Sequence, residues 1–208
     1  MRTALIVDDH PFIRASVKLL LKQERFGVVG EAEDGVQGAL LVREFKPDVV
    51  ILDISMPGLD GLEVITRIKD SAAKARIVIL TSQPPEYFSL RCMKLGAMGF
   101  VSKNNDLEEL RKAVRAVISG FTYFPEVVFS SVRRSDCTTS EAQCIAMLSD
   151  RELTILQQLA RGHSNKDIAQ MMLLSSKTVS TYKIRLIEKL RVKSLVELAD
   201  LAKRNLLV

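Results

Sequence analysis

The sequence predicts an α/β chain of two domains: a five-stranded, doubly wound parallel sheet, then a small all-α domain of four helices. Three observations carry this. Across the first 120 residues, short aliphatic runs at 4–7, 28–30, 49–52, 77–80 and 99–101 alternate with amphipathic stretches. The runs are apolar throughout, as strands buried on both faces of a parallel sheet must be. From Leu148 onward only helical spacing remains, and each helix has an explicit start signal.

In the first domain each run is followed by a helical pattern, near 12–22, 36–45, 62–69, 87–95 and 107–119. Five strands alternating with five helices cover both faces of a sheet. Such folds carry their sites in the crevice at the carboxyl ends of the strands. The pattern then stops. Thr122-Tyr123-Phe124-Pro125 reads as a terminating extended segment, and 132–140 is polar without a period, so residues 122–147 are expected to link domains 1–121 and 148–208. In the second domain, Ser149 with Glu152 forms a capping box opening 151–160, which Gly162 ends. Ser164 caps 165–172, Ser175 or Ser176 opens 177–190, and Ser194 with Glu197 forms a second capping box opening 195–203.

Hydrophobic residues make up 47 % of the 208 and charged residues 26 %, which excludes disordered, collagen-like and coiled-coil classes. No apolar run approaches the ~18–20 residues of a membrane-spanning helix. Asp8 and Asp9 come too early for a secretory leader. Three sparse cysteines, Cys92, Cys137 and Cys144, lack metal-ligand spacing and suit a reducing compartment as inert thiols. A cytoplasmic protein without a membrane partner is expected. Residues 1–125 hold 17 Lys/Arg against 16 Asp/Glu, whereas 126–208 hold 13 against 9. Only the second half is expected to meet a polyanion.

The strand ends carry the chemistry of the first domain. Asp8 and Asp9 follow the first strand, Asp53 closes the third, Thr81 the fourth and Lys103 the fifth. Three converging carboxylates repel one another unless a cation compensates. An incomplete shell of oxygen ligands suits Mg²⁺, which keeps waters and binds beside a phosphate. With the metal, Thr81 and Lys103 neutralising phosphoryl oxygens, one carboxylate can attack phosphorus and become an aspartyl phosphate. A single acid at a strand end is an ordinary solvated residue; this whole set is not.

Val7-Asp8-Asp9-His10, the run Leu52-Asp53-Ile54-Ser55-Met56-Pro57-Gly58-Leu59-Asp60-Gly61, Leu80-Thr81-Ser82 and Gly96-Ala97-Met98-Gly99-Phe100-Val101-Ser102-Lys103 closely resemble the receiver domain of bacterial response regulators, of flavodoxin-like fold, over residues 1–120. The resemblance implies that Asp53 accepts phosphate from a sensor histidine kinase. It implies Asp9 as a direct Mg²⁺ ligand, Asp8 as one through water, and Asp53 and the Ser55 carbonyl as the remaining protein ligands. Thr81 and Phe100 match a switch pair of hydroxyl and aromatic ring; Phe100 lacks the phenolic hydroxyl of the common Tyr variant. Ser55 and Gln83 occupy positions that tune phosphate lifetime in similar receivers. His10 is expected to be a helix-start residue beside the pocket, not an acceptor or ligand.

In the second domain, the helix over 165–172, a turn and the helix over 177–190 have helix-turn-helix spacing. At 100° per residue, Val179, Tyr182, Leu186 and Leu190 form the core stripe of the second helix. Lys177, Ser180, Thr181, Ile184, Arg185 and Glu188 face away from it. Outward hydroxyls, an alkyl group and cations near a helix N-terminus suit the major groove. Lys177, Lys183 and Arg185 are candidate phosphate contacts; Ser180, Thr181 and Ile184 are candidate base readers, with Thr178 beside them.

Leu148-Ser149-Asp150-Arg151-Glu152, Gly162-His163-Ser164-Asn165-Lys166-Asp167-Ile168-Ala169 and Ser175-Ser176-Lys177-Thr178-Val179-Ser180-Thr181-Tyr182 resemble the LuxR-type helix-turn-helix over 148–208. Joined to a receiver, this resembles a NarL/FixJ-type response regulator, most like the BvgA/EvgA group. That implies a transcription regulator controlled by phosphorylation, not an enzyme beyond transfer to its own Asp53 and slow loss of that phosphate. It also implies a homodimer on double-stranded promoter DNA, with Leu195, Val196 and Ala199 as candidate dimer contacts. The fourth and fifth receiver helices are the surface expected to respond to phosphorylation. Two rivals fit less well: a Mg²⁺-dependent phosphatase, which needs a second acid where Ser55 stands, and a receiver that dimerises without turning over phosphate, against which intact Asp53, Thr81 and Lys103 argue.

Overall fold

The computed structural model describes residues 2–56, 61–71, 74–125 and 141–208. The chain divides by compactness into two units, Met1–Val132 and Arg133–Val208.

The first unit is built on strands β1 (Arg2–Val7), β2 (Phe26–Ala32), β3 (Val49–Leu52), β4 (Arg76–Thr81) and β5 (Gly99–Ser102). All neighbours pair parallel in the order β2-β1-β3-β4-β5. Helices α1 (Pro11–Gln23), α2 (Gly35–Phe45), α3 (Gly61–Asp70), α4 (Pro85–Lys94) and α5 (Leu107–Ile118) alternate with them. Every residue of β3 is buried, as its unbroken apolar run requires. Against the sheet, α1 packs Val17, Leu20 and Leu21, and α5 packs Leu110, Ala113, Val114 and Val117. The chain leaves β1 to one side for β2 and returns to its other side for β3. That reversal opens a crevice between the carboxyl ends of β1 and β3. Asp8 and Asp53 stand at its two lips.

The second unit contains α6 (Glu141–Ala146), α7 (Asp150–Ala160), α8 (Asn165–Met171), α9 (Ser176–Leu190) and α10 (Leu195–Arg204). Its core joins Ile145, Leu153, Leu156, Ile168, Val179, Leu186, Leu198, Leu201 and Leu207. Ser149 and Glu152 form the expected capping box. Ser164 and Asp167 form another at α8, because aspartate at the third position reaches back as glutamate does. Ser175, not Ser176, caps α9.

Three expectations need correction. The segment expected to link the domains is structured at both ends. Tyr123 docks beside β5: its N–H donates to the Met98 carbonyl and its own carbonyl accepts from the Phe100 N–H. At the other end, α6 buries Ile145 and Cys144 in the second unit, so the four expected helices are joined by a fifth. The third correction is at Ser194, which caps α10 while the Glu197 carboxylate bonds the Lys193 N–H one residue further back. That contact is not a reciprocal box. Cys137, most of the expected linker (126–140) and residues 57–60 of the acidic-site motif lie outside the described residues.

Candidate functional site

Because β1, β3, β4 and β5 end side by side, Thr81 at the end of β4 and the residues just after β1, β3 and β5 share one rim. Asp8 and Asp53 are buried there, Asp9 is half-buried and Thr81 is inaccessible to solvent. Lys103 Nζ donates to Asp53 Oδ2 at 2.6 Å and lies 2.8 Å from Asp8 Oδ2. The Lys103 N–H donates to the Thr81 carbonyl, which fixes where its side chain starts. Burial alone would make the Lys103 ammonium easier to deprotonate; the charges and hydrogen bonds of Asp53 and Asp8 outweigh it and hold the pKa above the ordinary lysine value.

Asp53 Oδ1 accepts from the Ser55 N–H at 2.8 Å, so both carboxylate oxygens are oriented. The turn after β3 is pressed close by α3. A side chain on Gly61 would begin 2.2 Å from the Ile54 Cα, so only glycine allows this approach. On the facing side, Asp8 Oδ1 accepts from the His10 N–H. One ligand atom each from Asp8, Asp9, His10 and Asp53 falls within a cluster 4.8 Å across.

A hard cation fits this cluster. Asp8 Oδ2 and Asp9 Oδ1 are buried; Asp8 Oδ2 pairs with Lys103 Nζ at 2.8 Å, and Asp9 Oδ1 lies 2.7 Å from His10 Nδ1. Lone pairs so placed are available to a metal, and an all-oxygen set from Asp8, Asp9 and Asp53 suits Mg²⁺. The sequence expectation placed His10 at the helix start, and it is the N-cap of α1; its ring also joins the cluster.

Thr81 does not point its hydroxyl at Lys103. Its Oγ1 lies 2.9 Å from Ser55 Oγ and accepts from the Gln83 N–H. Phe100 is buried, 1 % exposed. Ser55, Thr81 and Gln83 thus form one hydroxyl-amide rim beside Asp53. Sequence reasoning missed Arg14, a buried side chain of α1 whose Nη1 donates to the Asp8 carbonyl at 2.7 Å. Its place on the inner face of α1, three residues before Val17, was the available signal.

In the second unit, α9 presents its N-terminal half outward. Lys177, Thr181, Ile184 and Arg185 are exposed, Ile184 by 58 %. Thr178, Ser180 and Lys183 are half-buried. The Ser180 hydroxyl donates to the Ser176 carbonyl and accepts from Asn165 Nδ2, which pins α9 to α8. Tyr182, expected in the core stripe, is half-buried, while Val179, Leu186 and Leu190 are buried. Farther along α9, Lys189 Nζ donates to both oxygens of buried Glu152, at 2.7 and 2.9 Å. On α10, Leu198, Leu201 and Ala202 face the core, leaving Leu195 and Val196 exposed and Ala199 half-buried. Among the described residues no helix is long and apolar enough to cross a membrane.

Residues 4–115 match the response regulator receiver domain, and residues 146–202 match the bacterial regulatory proteins of the luxR family. The chain is 52 % identical over 201 residues to the virulence factors putative positive transcription regulator BvgA of Bordetella pertussis, covering 97 % of this chain and 96 % of that one. It is 36 % identical to the DNA-binding transcriptional activator EvgA of Escherichia coli K12, covering 97 % and 98 %. Among solved structures, RcsB from Salmonella enterica serovar Typhimurium, bound to promoter P1flhDC with the phosphomimetic BeF₃⁻, superposes with a TM-score of 0.78 at 28 % identity, covering 98 % of each chain. A receiver ahead of a LuxR-type helix-turn-helix places the chain among the NarL/FixJ-type two-component response regulators, as a DNA-binding transcription regulator related to BvgA and EvgA.

Proposed function

We propose that this regulator is switched by phosphorylation of Asp53 by a sensor histidine kinase in the cytoplasm, and that the phosphorylated form binds promoter DNA as a homodimer. The observation that carries the reading is the setting of Asp53. One carboxylate oxygen is held by the Lys103 ammonium and the other by the Ser55 N–H, opposite the carboxylates of Asp8 and Asp9. A carboxylate oxygen of Asp53 attacks the phosphorus of a phosphohistidine as the phosphorus–nitrogen bond breaks, and the imidazole leaves. Lys103 is placed to take up charge on a phosphoryl oxygen. Mg²⁺, bound by Asp8, Asp9, Asp53 and the Ser55 carbonyl, would supply the remaining neutralisation. Thr81 then exchanges its Ser55 partner for a phosphoryl oxygen, and with Phe100 biases the conformers of the receiver. Water admitted past Ser55 and Gln83 removes the phosphate slowly.

On DNA, exposed Lys177 and Arg185, with half-buried Lys183, contact phosphates. Thr181 and Ile184 read base edges, and Thr178 and Ser180 hold the helix start. Leu195, Val196 and Ala199 supply the contact between copies. The test is chemical. Mg²⁺ and a small phosphodonor should add one acid-labile, hydroxylamine-sensitive phosphate, and Asp53→Asn should abolish it. Equal labelling of the Asn variant, or labelling of Asp9→Asn without divalent metal, overturns the reading.

A further inference from the structure

Arg14 is buried, 9 % exposed, and the phosphotransfer reading does not use it. Its guanidinium is placed unusually for a charge. Nη1 donates to the Asp8 main-chain carbonyl at 2.7 Å. Nη2 lies 2.5 Å from Glu33 Oε1, and Nε lies 3.8 Å from Glu31 Oε2. Lys18, one turn further along α1, holds the other oxygen of Glu31. The Asp8 N–H donates to the Ala32 carbonyl at the end of β2. Both peptide groups of Asp8 are therefore tied toward β2, one directly and one through Arg14.

Resting on the phosphotransfer reading above, we infer that Arg14 is a positioning residue for divalent-cation binding: it locks the Asp8–Asp9 peptide so that both carboxylates face Asp53. Its charge is already answered by Glu31 and Glu33, so it acts on the geometry of the acidic loop more than on the field in the pocket. A planar fork serves a carbonyl and a carboxylate together, which a lysine point charge does not. Residues that orient metal ligands in this way typically govern 10–100-fold in affinity.

The probe is Mn²⁺, titrated into the full chain with free ion followed by electron paramagnetic resonance. Arg14→Met should weaken Mn²⁺ binding about 10-fold or more. It should raise the Mg²⁺ concentration for half-maximal phosphorylation by the same factor, while the rate at saturating Mg²⁺ stays within about twofold. Arg14→Lys should recover only part of the loss. A purely stabilising role would lower the melting temperature and leave the Mn²⁺ affinity unchanged within twofold, and that result overturns the inference. If Arg14→Met does not fold, Glu33→Gln and Arg14→Lys carry the test: weaker Mn²⁺ binding in both supports the inference, and unchanged binding in both overturns it. Asp9→Asn is the separate control. Should it bind Mn²⁺ as tightly as the parent, the cation site itself is misassigned.

Discussion

Glu152 is a buried carboxylate with two partners, Ser149 three residues before it and Lys189 37 residues after it. Its capping of α7 with Ser149 was legible, because a three-residue spacing fixes both partners locally. Its pairing with Lys189 was not, because only the packing of α9 on α7 brings the two together. The same division holds in the receiver. Asp8, Asp53, Thr81 and Lys103 each end or follow a strand, so topology alone gathers them. Arg14 needed the facing of α1 as well. A pH dependence follows for Glu152. Burial raises its pKa, but hydrogen bonds from Lys189 and from the Ser149 N–H and hydroxyl, with the Lys189 charge, outweigh burial and lower it from 4.5. A carboxylate depressed on folding adds stability above its unfolded pKa and loses it as pH falls through the folded value. The Glu152→Gln variant should therefore melt below the parent at pH 7, by about 1–3 kcal/mol. The gap should close as pH drops below 4.5, the ordinary glutamate value from which Glu152 is lowered. Melting curves of the second unit between pH 7 and 2.5 check this; a gap that does not change with pH means the ion pair contributes nothing.

At the scale of elements, the helices with side-chain caps were the ones sequence located best. Ser149, Ser164, Ser175 and Ser194 each accept from the N–H three residues on. Helix α6 was missed because it spans six residues and its first turn carries only Glu141 as a signal. Tyr123 was missed because docking at a sheet edge depends on which strand is last. For α9 the faces were legible from period alone, but the state of each hydroxyl was not. Ser180 is saturated by Ser176 and Asn165, while Thr181 makes its one bond to the Lys177 carbonyl at an exposed position. Truncating Thr181 or Ile184 should relax preference at one or two base pairs, at ~1–3 kcal/mol each, without changing the salt slope. Truncating Lys177 or Arg185 should weaken all sequences alike and reduce the slope of log affinity against log salt by ~0.9 each. Ser180→Ala should do neither cleanly, because its hydroxyl serves α8. Titrations on matched and scrambled sites at several salt concentrations separate the three classes. Base preference lost with Lys177 and slope lost with Thr181 would reverse the orientation of α9 on DNA.

For the whole molecule, the charge division read from sequence coincides with a division of labour: a near-neutral half that holds the acidic pocket and a basic half that carries the helix-turn-helix. A single α9 can contact few phosphates, so one copy on one half-site gains little counterion release and binds weakly. Two copies on adjoining half-sites add their slopes and their base contacts, provided that something holds the copies together. On the reading proposed above, the exposed Leu195 and Val196 on α10 would supply an apolar contact for this. Phosphorylation of Asp53 would then act by adding a receiver contact to the same pair, raising the effective concentration of the second helix-turn-helix. The expected outcome has three parts. The phosphorylated chain should bind an inverted repeat, with half-sites about one helical turn apart, with a steep concentration dependence. Its salt slope there should be about twice that on an isolated half-site. Val196→Asp should lower the paired-site affinity while leaving the half-site affinity unchanged. Sedimentation velocity with and without the phosphodonor, run beside those titrations, decides the matter. If phosphorylation changes neither the sedimenting mass nor the paired-site affinity, control of this regulator does not run through dimerisation on DNA.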